Sequence, residues 1–338
     1  MRKGTSNTRK GTCQLAGSLC LVLLISACSS TPMTKTLLRD NSLPHQYVEL
    51  ENAPFFPQKK FQCGPAALAT VLHFHDQTTH PDELINNVYI PEKQGSVPIE
   101  MIAAARSYAQ LVYPLNANLE NLLLEVAAGH PVLVMQNLGF SWQPQWHYAV
   151  VIGYDLSNQQ LILRSGTKKR LTLPLKTFER TWRRAHYWAQ VILPPTQIPA
   201  TAQTPRYLKA AQDLDATGHT TSALQAYQSA IKNWPANPLP SLALGNAYYA
   251  QGDLNNSEQS FRQALTKHSD SGELWNNLGY VLLAQGCQVQ AQQAVQCAIQ
   301  LQPENVDYQH SLSEISETLT TNAAATNIAQ CQPVNCLP

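Results

Sequence analysis

The sequence predicts two structural units in series: a domain of mixed helices and strands over residues 45–195, then an all-helical repeat region over 204–305. Three observations carry this expectation. An alanine- and leucine-rich helix opens at Cys63, and apolar strand-like runs follow from Val132 and from Trp146. From Ala211 onward, small and aromatic residues recur every 34 positions. Between the two units Pro194, Pro195, Pro199 and Pro205 are separated by small polar residues, the composition of a semi-rigid linker over 196–203. The 338 residues suit about two domains, and 44% hydrophobic residues exclude general disorder. Charged residues make up only 13% and the formal net charge is +1, so a nucleic-acid-coating role is excluded.

Residues 1–12 carry Arg2, Lys3, Arg9 and Lys10 with no acid, and an apolar run from about Leu15 to Ala27 follows. The run is short of the roughly 20 apolar residues that span a bilayer; basic residues ahead of a short apolar run form a secretory signal. The segment ends Ile25-Ser26-Ala27-Cys28. This resembles the lipobox of bacterial lipoproteins, which implies cleavage after Ala27 and lipidation of Cys28; an ordinary signal cleaved near Ala27 is the alternative. Ser29 rather than Asp after the cysteine implies outer-membrane sorting, facing the periplasm. Loss of residues 1–27 removes four basic residues and no acid, turning the charge from +1 to −3. Residues 28–44 begin with small polar residues and are expected to be a tether.

In the first domain, Gln62-Cys63-Gly64-Pro65-Ala66-Ala67-Leu68 reads as a loop opening into a helix, with proline in the first turn. A cysteine at a helix N-terminus meets free N–H groups and the positive end of the helix dipole, which lower a thiol pKa. A small buried cysteine is the plainer reading. Gly129-His130-Pro131-Val132-Leu133-Val134 is a turn feeding a buried strand, and Trp146-His147-Tyr148-Ala149-Val150-Val151-Ile152-Gly153-Tyr154-Asp155 is an apolar strand opening on a histidine. A cysteine and a histidine so placed are candidates for nucleophile and base.

The helix start, the Gly129–Val134 strand and the His147–Asp155 strand resemble the papain-like cysteine peptidases that process double-glycine leaders, and more broadly C39-like domains without a transporter. The resemblance covers about residues 54–192. It implies an α+β papain-like fold, Cys63 as nucleophile, His147 as general base, and an oxyanion-stabilising glutamine shortly before the cysteine. Gln58 is the first choice for that glutamine and Gln62 the second. The resemblance also implies an aspartate on the strand after the histidine strand, where this chain has Leu163-Arg164-Ser165-Gly166. Asp155 is eight residues beyond His147, about 26 Å along a strand. Ser165 or Gly166 is expected opposite His147, with the Ser165 hydroxyl or a backbone carbonyl orienting the ring.

Eight basic residues (Arg164, Lys168, Lys169, Arg170, Lys176, Arg180, Arg183 and Arg184) face only Glu179 in that stretch of sequence. A solvated face is favoured over a basic substrate-attracting surface. His73 and His75 point different ways on a helix, so no metal is expected, nor any cofactor. Trp142 and Trp146 either wall a groove or pack in the core.

In the second unit Ala211, Gly245 and Gly279 are 34 apart, as are Gly218, Gly252 and Gly286, then Tyr227, Phe261 and Val295, and Ala230, Ala264 and Ala298. The pattern resembles the tetratricopeptide (TPR) repeat and implies an all-α solenoid of three copies over 204–305. Tyr308, Leu312, Ile315 and Leu319 make the apolar stripe of a capping helix over 306–320, and 321–338 is left as a tail. By repeat position Leu208, Asn246, Tyr249, Asn276 and Tyr280 are expected to face a partner-binding groove. None of these is basic, which disfavours an acidic peptide tail. Cys287 and Cys297 are about 15 Å apart along one helix and cannot bridge each other. They are expected to pack as small apolar residues, while Cys331 and Cys336 either close a short loop or stay free.

The expected function is therefore a lipid-anchored envelope cysteine peptidase whose repeats recruit a protein or peptide partner, without nucleic acid. Two alternatives stand beside it: a weakly catalytic adaptor, and a transpeptidase on the same fold.

Overall fold

The long apolar runs become strands buried on both faces. The structure is a computed structural model whose described residues are 30–40, 42–321 and 331–336, with the side chains of 318–321 left aside. The signal segment 1–27 and the expected lipidation site Cys28 lie outside the described residues, as does the Leu319 side chain. The first domain runs α1 (Pro32–Asp40), β1 (Tyr47–Glu49), α2 (Cys63–Phe74), α3 (Pro81–Val88), α4 (Pro98–Ser107), β2 (Leu111–Pro114), α5 (Leu119–Ala127), β3 (Val132–Asn137), β4 (Trp146–Asp155), β5 (Gln160–Ser165), β6 (Lys168–Pro174), α6 (Leu175–Arg183) and β7 (Ala189–Leu193). The strands form one antiparallel sheet in the order β2-β7-β3-β4-β5-β6, with β1 beside β4. Tyr148, Val150 and Ile152 of β4 pack with Leu68, Val71 and Leu72 of α2 on one face. Ala149 and Val151 pack with Leu122, Val126, Phe178 and Trp182 of α5 and α6 on the other. Helices on both faces explain why β4 shows no polar alternation.

The residues expected to form a tether do not behave as one. Residues 32–40 are helical, and Leu37 and Leu43 are buried in the domain core. The free N–H groups of the α1 first turn are taken by Glu179, a buried carboxylate on α6. It accepts from Met33 N at 3.1 Å, Thr34 N at 2.8 Å and Thr34 Oγ1 at 2.6 Å. An anion at a helix N-terminus satisfies both the orphan donors and the dipole. In sequence Glu179 is only the lone acid of a basic run; its partner lies some 145 residues upstream.

The expected 196–203 linker is likewise docked. Buried Glu125 on α5 accepts from Ala200 N at 3.0 Å, Thr201 N at 2.7 Å and Thr201 Oγ1 at 2.6 Å, and pairs with His130 Nδ1 at 2.8 Å. Gln203 N donates to Tyr113 Oη at 3.1 Å. One continuous core then runs from Leu111 and Tyr113 to Tyr207, Ala211 and Tyr227 of the repeats, so the two units share packing instead of being isolated by prolines.

The repeats are α7 (Thr204–Ala216) with α8 (Thr220–Asn233), α9 (Leu239–Ala250) with α10 (Leu254–Leu265), and α11 (Gly272–Ala284) with α12 (Gln288–Leu301), closed by α13 (Val306–Thr321). Gly218, Gly252 and Gly286 occupy the intra-repeat turns at φ of 87°, 74° and 81°, a left-handed conformation that glycine adopts at least cost. A Cβ on Gly245 would enter the Phe261 ring, which explains the small residue at that repeat position. Tyr308 and Ile315 of α13 are buried against the third repeat.

The cysteine expectation fails in an informative way. Cys287 and Cys297 do not bridge each other, but neither is a packing residue alone. Cys287 is bonded to Cys331 and Cys297 to Cys336, with Cα atoms 5.6 Å and 5.4 Å apart. Residues 331–336 are thereby laid along the third repeat, with Val334 buried and Arg262 donating to Gln332 O and Pro333 O. The 331–336 segment is therefore not a loose tail. Sequence separations of 44 and 39 residues correspond to about 4 kcal/mol for each bridge taken singly, in the chain-entropy model.

Four of the eight residues of the basic run have structural partners. Arg164 is buried, Arg170 pairs with Glu49 at 2.9 Å, Arg183 donates to Ser30 O and Arg184 to Asn137 O.

Candidate active site

Cys63 is the first residue of α2 because the chain cannot continue helically upstream of it. Phe61 sits at φ 64°, a left-handed conformation that is uncommon for a bulky residue, and Gln62 is the N-cap. Gly64 follows where a Cβ would collide with Ser96, so the helix start packs closely on the loop ahead of α4. Residues 64–72 of α2 are buried, which fixes the helix against the sheet and leaves Cys63 half-buried at its end.

The backbone N–H groups of Tyr148, Gly64 and Cys63 itself are oriented so that they favour negative charge on the Cys63 sulfur. Cys63 and Tyr148, the residue after His147, line the same cleft. Burial raises the thiol pKa above its ordinary value and outweighs the lowering by these N–H groups. The expected lowering is thus overturned: a sequence shows the helix end but not the depth at which it is buried.

His147 is the second residue of β4, paired in register with Gln136 of β3. Its Nε2 is 2.8 Å from Ser165 Oγ at the end of β5. Burial lowers the imidazole pKa below the usual histidine value. Thiol and imidazole are consequently both neutral near pH 7. The β4–β5 register pairs Val150 with Arg164, with a bulge between Val151 and Gly153, so Ser165 reaches His147 diagonally and not as a directly opposed residue. Asp155 instead caps the β4–β5 turn through Asn158.

Gln58 lines the same small cleft as Cys63 and Ser165, together with Phe55, Phe56, Thr70, Tyr148, Arg164 and Gly166. Its backbone N–H donates to Gly166 O at 3.1 Å, while its side-chain Oε1 is buried with no partner among the described residues. Gln62 stands at the helix cap, where its carbonyl accepts from Ala66 N. Arg164 was missed as a site residue by sequence reasoning. Its guanidinium donates to Ala53 O at 2.8 Å, Lys169 O at 2.6 Å and Glu51 O at 3.3 Å, which ties residues 51–53, upstream of Gln58, to the sheet. Its one sequence signal is an arginine closing the apolar run Leu161-Ile162-Leu163.

Residues 50–190 match the Peptidase_C39 like family, and residues 208–257 and 242–306 match the tetratricopeptide repeat. The chain carries a C39-like peptidase domain followed by TPR repeats. Among solved structures, one described as a C39-like peptidase from Bacillus anthracis is 20% identical, covering 44% of this chain and 98% of that one at a TM-score of 0.37. The peptidase domain of Streptococcus ComA, a bifunctional ABC transporter of a quorum-sensing pathway, is 23% identical over 42% of this chain and 99% of its own at 0.35. The second TPR domain of human RPAP3, solved with an HSP70 peptide, is 21% identical over 32% of this chain and 92% of its own at 0.30. A comparison with curated proteins found no match. The mixed α/β C39-like domain and the helical TPR region agree with the α+β and all-α classes expected from the sequence.

The five expected partner-binding residues are distributed unevenly. Leu208 and Asn246 line a groove of about 560 Å³ between α7 and α9, with Leu239, Leu242 and Ala243. Tyr249 is exposed. Asn246 Oδ1 already accepts from Asn277 Nδ2 at 2.8 Å, and Asn276 Oδ1 is buried with no partner among the described residues. The Tyr280 hydroxyl lies 3.1 Å from Ser311 Oγ and 2.9 Å from Glu314 Oε2 of α13, so the capping helix engages it.

Proposed function

We propose that this protein is a lipid-anchored thiol peptidase of the cell envelope whose repeats present a peptide or protein substrate. The supporting observation is the convergence of Cys63, Gln58, Tyr148 and Ser165 on one cleft, with His147 hydrogen-bonded to Ser165 and adjacent in sequence to Tyr148. Because thiol and imidazole are neutral at rest, His147 takes the Cys63 proton as Sγ attacks the scissile carbonyl, the role of a general base. The tautomer with its proton on Nε2, donating to Ser165 Oγ, leaves Nδ1 as the accepting atom for this step. The Cys63 N–H and the Gln58 side-chain amide stabilise the oxyanion; the Gln58 amide oriented with its nitrogen in the cleft supplies the donor. The proton on His147 passes to the leaving amine, and water then hydrolyses the thioester.

Four features support an exported, anchored setting: the basic and apolar start, the Ile25-Ser26-Ala27-Cys28 motif, and two disulfides, which persist in oxidising compartments. An adaptor reading is favoured by the raised thiol pKa and by a neutral serine where a carboxylate would better hold an imidazolium. Incubating the protein and its Cys63→Ala variant with a peptide library under mass-spectrometric readout decides between them. Peptidase chemistry gives products that vanish in the variant; identical mixtures establish the adaptor. An added amine nucleophile that appears in ligated product identifies a transpeptidase.

A further inference from the structure

The hairpin joining β3 to β4 has no role in the chemistry above and an unusual surface. Residues 138–146 read Leu-Gly-Phe-Ser-Trp-Gln-Pro-Gln-Trp, without a charge. Leu138 is 49% exposed, Phe140 66%, Trp142 79% and Trp146 49%. Phe140 and Trp142 stack on each other with ring centroids 5.7 Å apart. The tip is held in shape: Phe140 and Gln143 exchange backbone hydrogen bonds, and Asn137 Oδ1 accepts from Gly139 N at 3.0 Å and Gln145 N at 2.9 Å. A rigid projecting tip bearing four exposed apolar side chains marks an interaction site.

Its occupant follows from what lies at its base. Arg184 donates to Asn137 O, at the root of the hairpin, through Nε at 3.1 Å and Nη2 at 2.9 Å. The neighbouring Arg183 donates to Ser30 O at 2.9 Å. Arg183, the last residue of α6, and Arg184, its C-cap, therefore hold Ser30, two residues after Cys28 in sequence, and the hairpin root. Lys176, Arg180 and Arg183 are spaced by four and three residues on one face of α6, with the acid of that helix, Glu179, turned inward onto α1. Aromatic tips and cations beside an anchor point are the chemistry of an anionic lipid surface.

We propose that the 138–146 hairpin is a membrane wedge: Phe140 and Trp142 insert into the leaflet that receives the Cys28 anchor, and the Lys176–Arg180–Arg183 face of α6 contacts anionic headgroups. The proposal rests on the anchored reading above. It sets the orientation of the domain, with the β3–β4 end and the adjacent His147 facing the membrane surface.

The test uses the mature chain from residue 28 carrying Cys28→Ser, which retains every described residue. It is mixed with vesicles of phosphatidylethanolamine and phosphatidylglycerol bearing brominated acyl chains. Expected results are co-sedimentation and quenching of tryptophan fluorescence. Phe140→Ser with Trp142→Ser weakens partitioning about tenfold or more. Lys176→Glu with Arg180→Glu weakens it about tenfold on anionic vesicles only. Absent sedimentation, or sedimentation indifferent to the hairpin pair, overturns the wedge. Equal binding to neutral phosphatidylcholine vesicles overturns the headgroup contact. A hairpin variant that binds vesicles normally but raises KM for a cleaved peptide makes the tip a substrate surface instead. The intact mass of wild-type protein extracted from cells reports acylation of Cys28 separately, so failure of the anchor and failure of the wedge are distinguishable.

Discussion

Replacing Ser165 by alanine removes the hydroxyl 2.8 Å from His147 Nε2 and nothing else in the cleft. In the ground state this is a neutral hydrogen bond of about 1 kcal/mol net; when His147 becomes an imidazolium the bond is charge-assisted and about twice as strong. The difference, about 1–1.5 kcal/mol, falls on the activation barrier and slows reaction about five- to tenfold. A carboxylate at the same place would be expected to matter more, because it carries charge against the forming cation. The assay is the second-order rate of Cys63 modification by a peptidyl electrophile, followed by peptide mass spectrometry, with Ser165→Thr as the variant that keeps the hydroxyl. Circular dichroism checks that the end of β5 is undisturbed. If Ser165→Ala reacts at the wild-type rate, Ser165 does not orient the ring. If it reacts as slowly as His147→Ala, a single neutral hydrogen bond is too small an explanation.

Other consequences are as direct. Burial raises the Cys63 thiol and lowers the His147 imidazole, so the neutral base persists below the usual value of about 6.5. The rate of Cys63 modification should hold below pH 6.5 and fall only as acid protonates His147, and direct thiolate formation should begin above about 8.5; a rate flat down to about pH 4 would show a preformed thiolate–imidazolium pair instead. Glu179→Gln keeps the shape but turns an amide donor toward one α1 donor, costing about 2 kcal/mol; hydrogen exchange over residues 32–40 should accelerate while the sheet stays protected. Reduction of both disulfides should release residues 331–336 and lower the unfolding midpoint of the repeats without altering Cys63 modification, read by urea titration and labelling on one sample.

What could be read from the chain alone was what local spacing encodes. The glycines at 218, 252 and 286 announce their turns because each needs positive φ at the same point of a repeat. Cys63 and His147 were legible because a helix start and a strand start each have a local signature. The thiol pKa was not, since its sign depends on burial by residues far along the chain. The docking of residues 32–40 was illegible for the same reason: a polar helix looks like a tether until Glu179 is seen taking its first-turn N–H groups. Arg164 hid within a basic run, though its guanidinium faces three carbonyls and not water. The cysteine pairs could not be assigned because the tail's path along α12 has no local pattern.

The most direct test of the central claim is the site-resolved rate at which an uncharged peptidyl electrophile modifies Cys63 at pH 7, in wild type and in His147→Ala. General-base chemistry at this cleft predicts a wild-type reaction well above that of a free thiol with a comparably raised pKa, and a fall of about a hundredfold or more when His147 is lost. Equal rates in the two proteins would show that Cys63 and His147 do not act together, and that the C39-like domain serves as a scaffold.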